Sequence, residues 1–323
     1  MMKKTMVAFC VAISSGMCWA QADFPNKPIK LIAPYAPGGS ADVLARTLAN
    51  YLSAEIKQPV IVENKPGANT MIAASTVARA PADGYTLLLA SNASMVLNPL
   101  LYKKLTYNPD KELKLLNILA EAPLVLVTNS QTGVKNIEDL KSYAKEKNGS
   151  INYSSIGLGN PLQLTTELIK SRLNIAATHI PFNGSAPALT ALMSNDTQLM
   201  VDVIGTSLPQ IKAGKLQPIA TTGLARSQFL PQVPTIAESG FPGFRASTWF
   251  GVAVPTATPA AIKNKLQHAV DVVIQKPEFI TTLTNQYLVA QKPQNQAQLD
   301  DFLQSDGSMW RQVITANNIT LEN

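Results

Sequence analysis

Between Pro28 and Ala90 the chain alternates between two incompatible hydrophobic periods, and that alternation constrains its fold more than any single motif. Ile29-Lys-Leu-Ile-Ala33 reads as a strand, Leu44, Leu48, Leu52 and Ile56 recur at helical spacing, and Val60-Ile-Val62 is extended again. A helical stretch from Ala68 to Ala78 leads into Thr86-Leu-Leu-Leu-Ala90. A βαβαβ series implies an α/β fold built on a parallel sheet with helices on both faces.

A second series follows. Leu124-Val-Leu-Val127, a helix over Ile137–Lys147, Ile151-Asn-Tyr-Ser154, a helix over Pro161–Leu173 and Ala177–Pro181 are enough for another parallel-rich sheet, completed by Leu199–Val203 and Leu216–Thr222. Thr248–Val254 is a further strand, and the tail from Pro259 reads as helical with breaks at Pro277 and Pro293. About 300 residues exceed what one core usually holds. The expected division is residues 23–123 plus 247–323 as lobe 1 and 124–246 as lobe 2, with the chain leaving near Glu121–Leu124 and returning near Ala246–Trp249. The cleft is expected between the lobes.

The N-terminus sets the expected compartment. Lys3 and Lys4, the apolar run Met6–Ile13 and the small residues of Ala20-Gln21-Ala22 read as a signal peptide over residues 1–22, which implies export to the periplasm. Both cysteines, Cys10 and Cys18, fall inside it, so disulfides, cysteine-ligated zinc and thiol catalysis are not expected in the mature chain. The formal charge of +6 falls to +4 without the two leader lysines, and the remaining basic residues are scattered. Nucleic-acid binding would need a clustered basic face and is not expected.

Five turns between strand and helix patterns could carry chemistry. In Pro34-Tyr-Ala-Pro-Gly-Gly-Ser-Ala-Asp42, Gly38 and Gly39 free the backbone for a tight turn, while Ser40 is placed to cap the next helix and leave its first amides outward. Such amides and the positive end of the helix dipole attract anions. Asn64–Thr70 and Ser91–Ser94 repeat the arrangement after the second and third strands, and successive turns at strand C-termini converge where open α/β sheets bind ligands. The second series offers Ser154-Ser-Ile-Gly-Leu-Gly-Asn160 and Pro181-Phe-Asn-Gly-Ser-Ala-Pro187.

Catalytic signatures are weak. Gly157 and Gly159 lack the third glycine of a dinucleotide fingerprint, since Leu162 occupies its place, and no phosphate-loop sequence occurs. His179 and His268 are the only histidines and read as structural or surface residues rather than metal ligands. Ser142-Tyr-Ala-Lys145 lacks the partner motifs of a serine–lysine hydrolase. No cofactor or metal is expected, and a secreted hydrolase resting on Asp42, Asp202 and the serines is a remote alternative.

Several segments in order carry a resemblance: Ala33–Asp42, Val62-Glu-Asn-Lys-Pro-Gly-Ala68, Ala80–Thr86, Asn98-Pro-Leu-Leu-Tyr102, Gly184–Ala188, Gln232–Glu238 and Gly240-Phe-Pro-Gly243. The chain resembles the solute-binding receptors of tripartite tricarboxylate transporters, also called Bug receptors. The resemblance implies a two-lobe periplasmic-binding-protein (Venus flytrap) fold that holds a small carboxylate through backbone amides and bridging waters. It implies a monomer, without catalysis, that docks on a membrane permease of one large and one small subunit; presentation to a membrane sensor kinase is the alternative. In that picture Gly39, Ser40 and Ala41 offer amides, Asp42 orients the turn or bridges lobes, Ala68 and Asn69 form a wall, and Ser91 and Asn92 add side-chain donors. The full candidate set adds Tyr35, Gly38, Gly157, Asn160, Gly184, Ser185, Ala186 and Asp202. Family members often carry a cation where this chain has Asn183, which makes a strongly dianionic ligand less expected than a monocarboxylate, an amino acid or an aromatic acid.

Overall fold

A computed structural model of the chain describes residues 24–316 together with Ile319 and Leu321. The expected signal segment and both cysteines lie outside these residues. Eleven strands form two mixed sheets. The first contains β1 (Ile29–Ala33), β2 (Val60–Asn64), β3 (Thr86–Ser91), β4 (Leu113–Ala122), β10 (Thr248–Pro255) and β11 (Val289–Ala290), ordered β11-β4-β10-β3-β1-β2. The second contains β5 (Leu124–Asn129), β6 (Asn152–Ser155), β7 (Thr178–Pro181), β8 (Leu199–Val203) and β9 (Leu216–Thr221), ordered β7-β6-β8-β5-β9.

The expected parallel character is confined to part of each sheet. Strands β2, β1 and β3 are parallel to one another, as are β7, β6 and β8, whereas β10, β4 and β11 in one sheet and β5 and β9 in the other run antiparallel to their neighbours. The cause is the chain path. Parallel neighbours need helical crossovers, while β4 runs into β5 across a single residue and β10 returns from the other sheet.

The helices are α1 (Ser40–Ile56), α2 (Met71–Ala78), α3 (Asn98–Leu101), α4 (Pro109–Glu112), α5 (Ile137–Glu146), α6 (Pro161–Leu173), α7 (Ser185–Met193), α8 (Ile204–Lys212), α9 (Ala260–Ile274), α10 (Pro277–Asn285) and α11 (Gln296–Ala316). Leu44, Leu48 and Leu52 of α1 are fully buried, as their spacing requires. Every residue of β5 is buried; a strand covered on both faces has no reason to alternate. One core cluster joins the first sheet to one face of the second, and a smaller one around Val125, Val127, Leu192 and Ile204 covers the other face.

Strand β4 has no counterpart in the sequence reading, because Lys114, Asn117 and Glu121 interrupt its apolar run. It pairs with β10 through two register shifts, and the approach is so close at Gly251 that a Cβ there would lie 2.5 Å from the Asn117 carbonyl oxygen. The tail also departs from continuous helix: β11 adds two residues to the edge of the first sheet between α10 and α11.

The two sheets meet edge to edge. Antiparallel pairing sets the start of β10 beside the ends of β3 and β4, so the C-terminal ends of β1, β2, β3 and β4 share one edge. In the second sheet, β5 begins beside the ends of β8 and β9, which places the ends of β6 to β9 on the edge from which the chain arrived. Only Pro123 separates β4 from β5, so these edges face each other. Thr222 pins both crossings: its N–H donates to the Leu124 carbonyl at 3.2 Å, and its hydroxyl donates to Ala246 O at 2.6 Å.

Candidate functional site

Every candidate residue lies on these facing edges: positions 35–42 after β1, 68–69 after β2, 91–92 at the end of β3, 157–160 after β6, 184–186 after β7, and Asp202 near the end of β8. The turn before α1 is organised by Asp42. Its carboxylate is buried and accepts from Gly38 N at 3.0 Å, Arg46 Nε at 3.1 Å and Asn64 Nδ2 at 2.8 Å. Burial alone would raise this carboxyl, but hydrogen bonds from Arg46, Gly38 and Asn64 and the charge of Arg46 hold it below the usual range. Asp42 therefore shapes the turn and pairs with Arg46 at the same time.

Two expectations about this turn are corrected. The N-cap of α1 is Gly39, without a side-chain hydrogen bond, and Ser40 is already helical, so the serine does not cap. The glycine pair is also unequal. Gly38 has φ of +90°, which L-residues resist, whereas Gly39 is ordinary extended backbone at φ −83° and ψ 168°. The first helical amides, from Ser40 to Asp42, precede the first helical bond, Val43 N to Gly39 O at 3.0 Å. They are the donors a helix start leaves for an outside acceptor. Tyr35 closes one side of the turn, with its hydroxyl 3.5 Å from Ser91 Oγ and its ring edge-on to Phe250.

After β2 the backbone is unusual. Ala68, Asn69 and Thr70 have φ of +44°, +45° and +74°, so α2 begins only at Met71 rather than at Ala68. Non-glycine residues in this region are strained and persist where their surroundings over-determine them. The surroundings here are Asn98, fully buried, whose Nδ2 donates to Asn69 O at 2.7 Å and whose Oδ1 accepts from Asn69 Nδ2 at 2.8 Å. Asn69 Nδ2 also reaches the Gly159 carbonyl of the other sheet's loop at 2.8 Å.

Asn92 is partly committed: its Nδ2 donates to Ser247 O at 3.1 Å and its Oδ1 accepts from the Thr248 hydroxyl at 2.9 Å, so one amide hydrogen and the carbonyl hold the returning chain. In the second sheet, Asn160 caps α6 by accepting from Leu162 N at 3.0 Å, and Gly157 N sits 3.2 Å from Ser155 Oγ. The same Ser155 hydroxyl lies 2.6 Å from His179 Nε2, and His179 stacks on Tyr153; burial lowers this histidine to about 4 and keeps it neutral at ordinary pH.

Gly184, at φ +114°, is the N-cap of α7 and leaves the Ser185 and Ala186 amides in its first turn. Ser185 Oγ donates to Asp202 at 3.0 Å, and Thr206 and Ser207 add hydroxyl donors at 2.5 and 2.8 Å. Asp202 is fully buried and faces no cation in this set, and burial pushes its carboxyl up despite these three hydroxyls.

The largest bonded groups among the candidates lie around Asp42, around Asn69 with Gly159, and around Asp202, while Tyr35 contacts Ser91 and Asn92 bonds the returning chain. No hydrogen bond joins the α1 turn to the α7 turn among the described residues. Asn64, Asn98 and Thr222 were not among the candidates. An Asn before Pro opening a short helix reads in sequence as a cap, and only the fold turns the Asn98 side chain onto Asn69. Of two surface depressions, one runs along α2 from Ala68, at the rim of the convergent turns, and the other lies between α11 and α4, away from them. Among the described residues no helix is long and apolar enough to cross a membrane, and no cluster of His, Cys, Asp and Glu is suited to a metal ion.

Comparison with known proteins agrees with this architecture. The profile of the tripartite tricarboxylate transporter family receptor matches residues 44–319. The chain is 34% identical over 264 residues to the protein BugT of Bordetella pertussis, with 81% of each chain covered. It superposes on R. palustris Rpa4515, solved with adipate, with a TM-score of 0.88 at 30% identity, covering 93% of this chain and 100% of that one. It superposes on MatC from Rhodopseudomonas palustris, solved with malate, with a TM-score of 0.83 at 30% identity over 90% and 100% of the two chains.

Proposed function

The chain belongs to the tripartite tricarboxylate transporter receptor family, and from that premise we propose that it is exported to the periplasm, captures a small carboxylate between two lobes and delivers it unaltered to a membrane permease of one large and one small subunit. The observation that carries this reading is the opposition of the two sheet edges, each ending in a helix start whose first amides, at Ser40–Asp42 and at Ser185–Ala186, precede the first helical bond and take no acceptor among the described residues. Helix N-termini present N–H groups and a positive dipole end to an anion. Residues 23–123 with 247–323 form one lobe and 124–246 the other, with the hinge at the two crossings.

Such a site needs no cation. Arg46 is already paired with Asp42, and position 183 is an asparagine. A ligand with one carboxylate held by amides and waters suits this edge better than one with two carboxylates close together. Adipate- and malate-bound relatives support the carboxylate class. Asp202 serves as an internal acceptor for Ser185, Thr206 and Ser207 and holds the second edge in shape, without the paired acid and base that turnover would need.

A thermal-shift panel of monocarboxylates, dicarboxylates, amino acids and aromatic acids on the mature protein tests the proposal. A true ligand at a hundred times its dissociation constant stabilises by about 2.7 kcal/mol. The ligand should be recovered chemically unchanged after long incubation. A panel without a single shift, or accumulation of product, would remove the receptor reading.

A further inference from the structure

We propose that Gly159, seated between Asn69, Leu101 and Leu321, is a clasp that holds the two lobes together and slows ligand departure. The inference rests on the two-lobe receptor reading above and adds the residues that decide how long the trap stays shut.

Gly159 is buried in the loop between β6 and α6, with φ of +70°. A Cβ at this position would lie 2.7 Å from Leu321 Cδ1 and 3.1 Å from both Asn69 Nδ2 and Leu101 Cδ1. Those three groups come from the turn after β2, from α3 and from the C-terminal stretch, all belonging to the first sheet's side. One backbone unit of the second lobe is thus enclosed by three separate segments of the first. The Asn69 amide supplies the polar contact, 2.8 Å from the Gly159 carbonyl oxygen.

Both halves are held in place independently of each other. On the first lobe, Asn98 fixes Asn69 through its amide and carbonyl and also donates to Thr70 Oγ1 at 3.3 Å and Tyr107 Oη at 3.2 Å. Leu321 is anchored by its own N–H, which donates to Leu101 O at 3.2 Å. On the second lobe, Gly159 N donates to Gln163 Oε1 at 2.6 Å, and Asn160 caps α6 directly afterwards. Contacts between pre-arranged groups cost little ordering entropy when they form.

Position in the sheets supplies the leverage. β2 lies three strands from the crossing strand β10, and β6 lies two strands from the crossing strand β5. At ~4.8 Å per strand the clasp stands ~10–14 Å out from the hinge, where a small rotation gives a large separation. A contact there opposes opening far more effectively than the same contact at the crossings.

The test uses Asn69→Ala, Gly159→Ala and Leu321→Ala in the mature protein. Leu321→Ala trims only a partly exposed side chain, so it keeps the experiment decisive if either of the others folds poorly. Two readouts need no ligand: the radius of gyration in solution, and hydrogen exchange of the amides at 157–163. A third is the dissociation rate of adipate or malate, taking whichever stabilises the wild type. The clasp predicts a larger radius, faster exchange and dissociation accelerated about 2- to 12-fold per variant, as expected for losing one neutral contact. Unchanged radius and exchange in all folded variants would overturn it, as would unchanged dissociation in variants that do open. If neither carboxylate binds, the receptor reading suffers while the radius and exchange measurements still judge the clasp.

Discussion

The Thr248 hydroxyl donates to Asn92 Oδ1 over 2.9 Å, binding the first residue of the returning strand to the residue that follows β3. The other end of the same amide holds Ser247 O, so one buried side chain governs how the chain re-enters the first sheet.

Asn92→Ala is therefore expected to leave the buried Thr248 hydroxyl and the Ser247 carbonyl without their partner. An orphaned buried polar group costs about 1–3 kcal/mol. Chemical denaturation should show a loss in that range. A loss below about 0.5 kcal/mol would mean that the crossing is held by Thr222 alone.

The two glycines before α1 should behave differently. Gly38→Ala forces a Cβ onto φ of +90° and should destabilise by about 1–3 kcal/mol. At Gly39 the backbone is extended and a Cβ would meet nothing within 4 Å, so Gly39→Val should fold almost as well as the wild type. If the α1 amides hold the ligand carboxylate, the valine should still weaken binding by about 10- to 150-fold, the worth of one hydrogen bond to a charged group. Calorimetry with circular dichroism separates the effects, and native-like affinity in Gly39→Val would remove this turn from the site.

Asp306 predicts a pH dependence of stability. Burial raises its carboxyl to about 6, although the Trp249 indole donates to it at 2.9 Å and Arg245 also favours its ionised form. An acid raised on folding is stabilising while protonated, so its contribution is present below pH 4 and is lost as pH rises through about 6. His179, lowered to about 4, acts oppositely and costs stability as pH falls from 6.5 toward 4. The informative quantity is the difference between wild type and Asp306→Asn: relative to the variant, the wild type should gain up to about 3 kcal/mol between pH 7 and pH 4. Parallel melting curves of the two proteins across that range would contradict the burial of this carboxyl.

Asp202→Ala removes the acceptor shared by Ser185, Thr206 and Ser207. The Ser185 and Ser207 hydroxyls lose their acceptor while Thr206 keeps Val203 O, and the loss should reach about 2 kcal/mol. Asp202→Asn keeps one acceptor oxygen and should fall between the alanine variant and the wild type. Thermal unfolding of the pair would show whether this carboxylate is the structural acceptor that its partners make it.

The sequence carried the strands whose apolar runs are unbroken and the helix whose leucines recur on one face, since burial acts directly on those patterns. Strand β4 escaped because Lys114, Asn117 and Glu121 stand where a periodic reading expects apolar residues; Asn117 is fully buried beside Asp271, a partner far away in the chain. The antiparallel strands escaped for a related reason: direction is decided by where the chain returns, which local period does not encode.

The turns after strands were legible because glycine and small polar residues punctuate them. Which atom of a turn does the work was not. Ser40 looked like the cap, yet Asp42 organises the turn and Gly39 takes the cap position. Asn92 reads in sequence as a donor toward the cleft, and its contacts with Ser247 and Thr248 were not legible, because a side chain's partners depend on a strand more than 150 residues away.

Pro123 has a mechanical consequence. As the only residue between β4 and β5, with its carbonyl held by Ile204 N at 2.9 Å, it leaves the outgoing connection no slack. One peptide unit spans at most ~3.6 Å, so the halves of the molecule cannot be drawn apart at this point. They can only swivel about it, like a door on a pin. Anything that touches both halves at once is therefore presented with an angle rather than a distance.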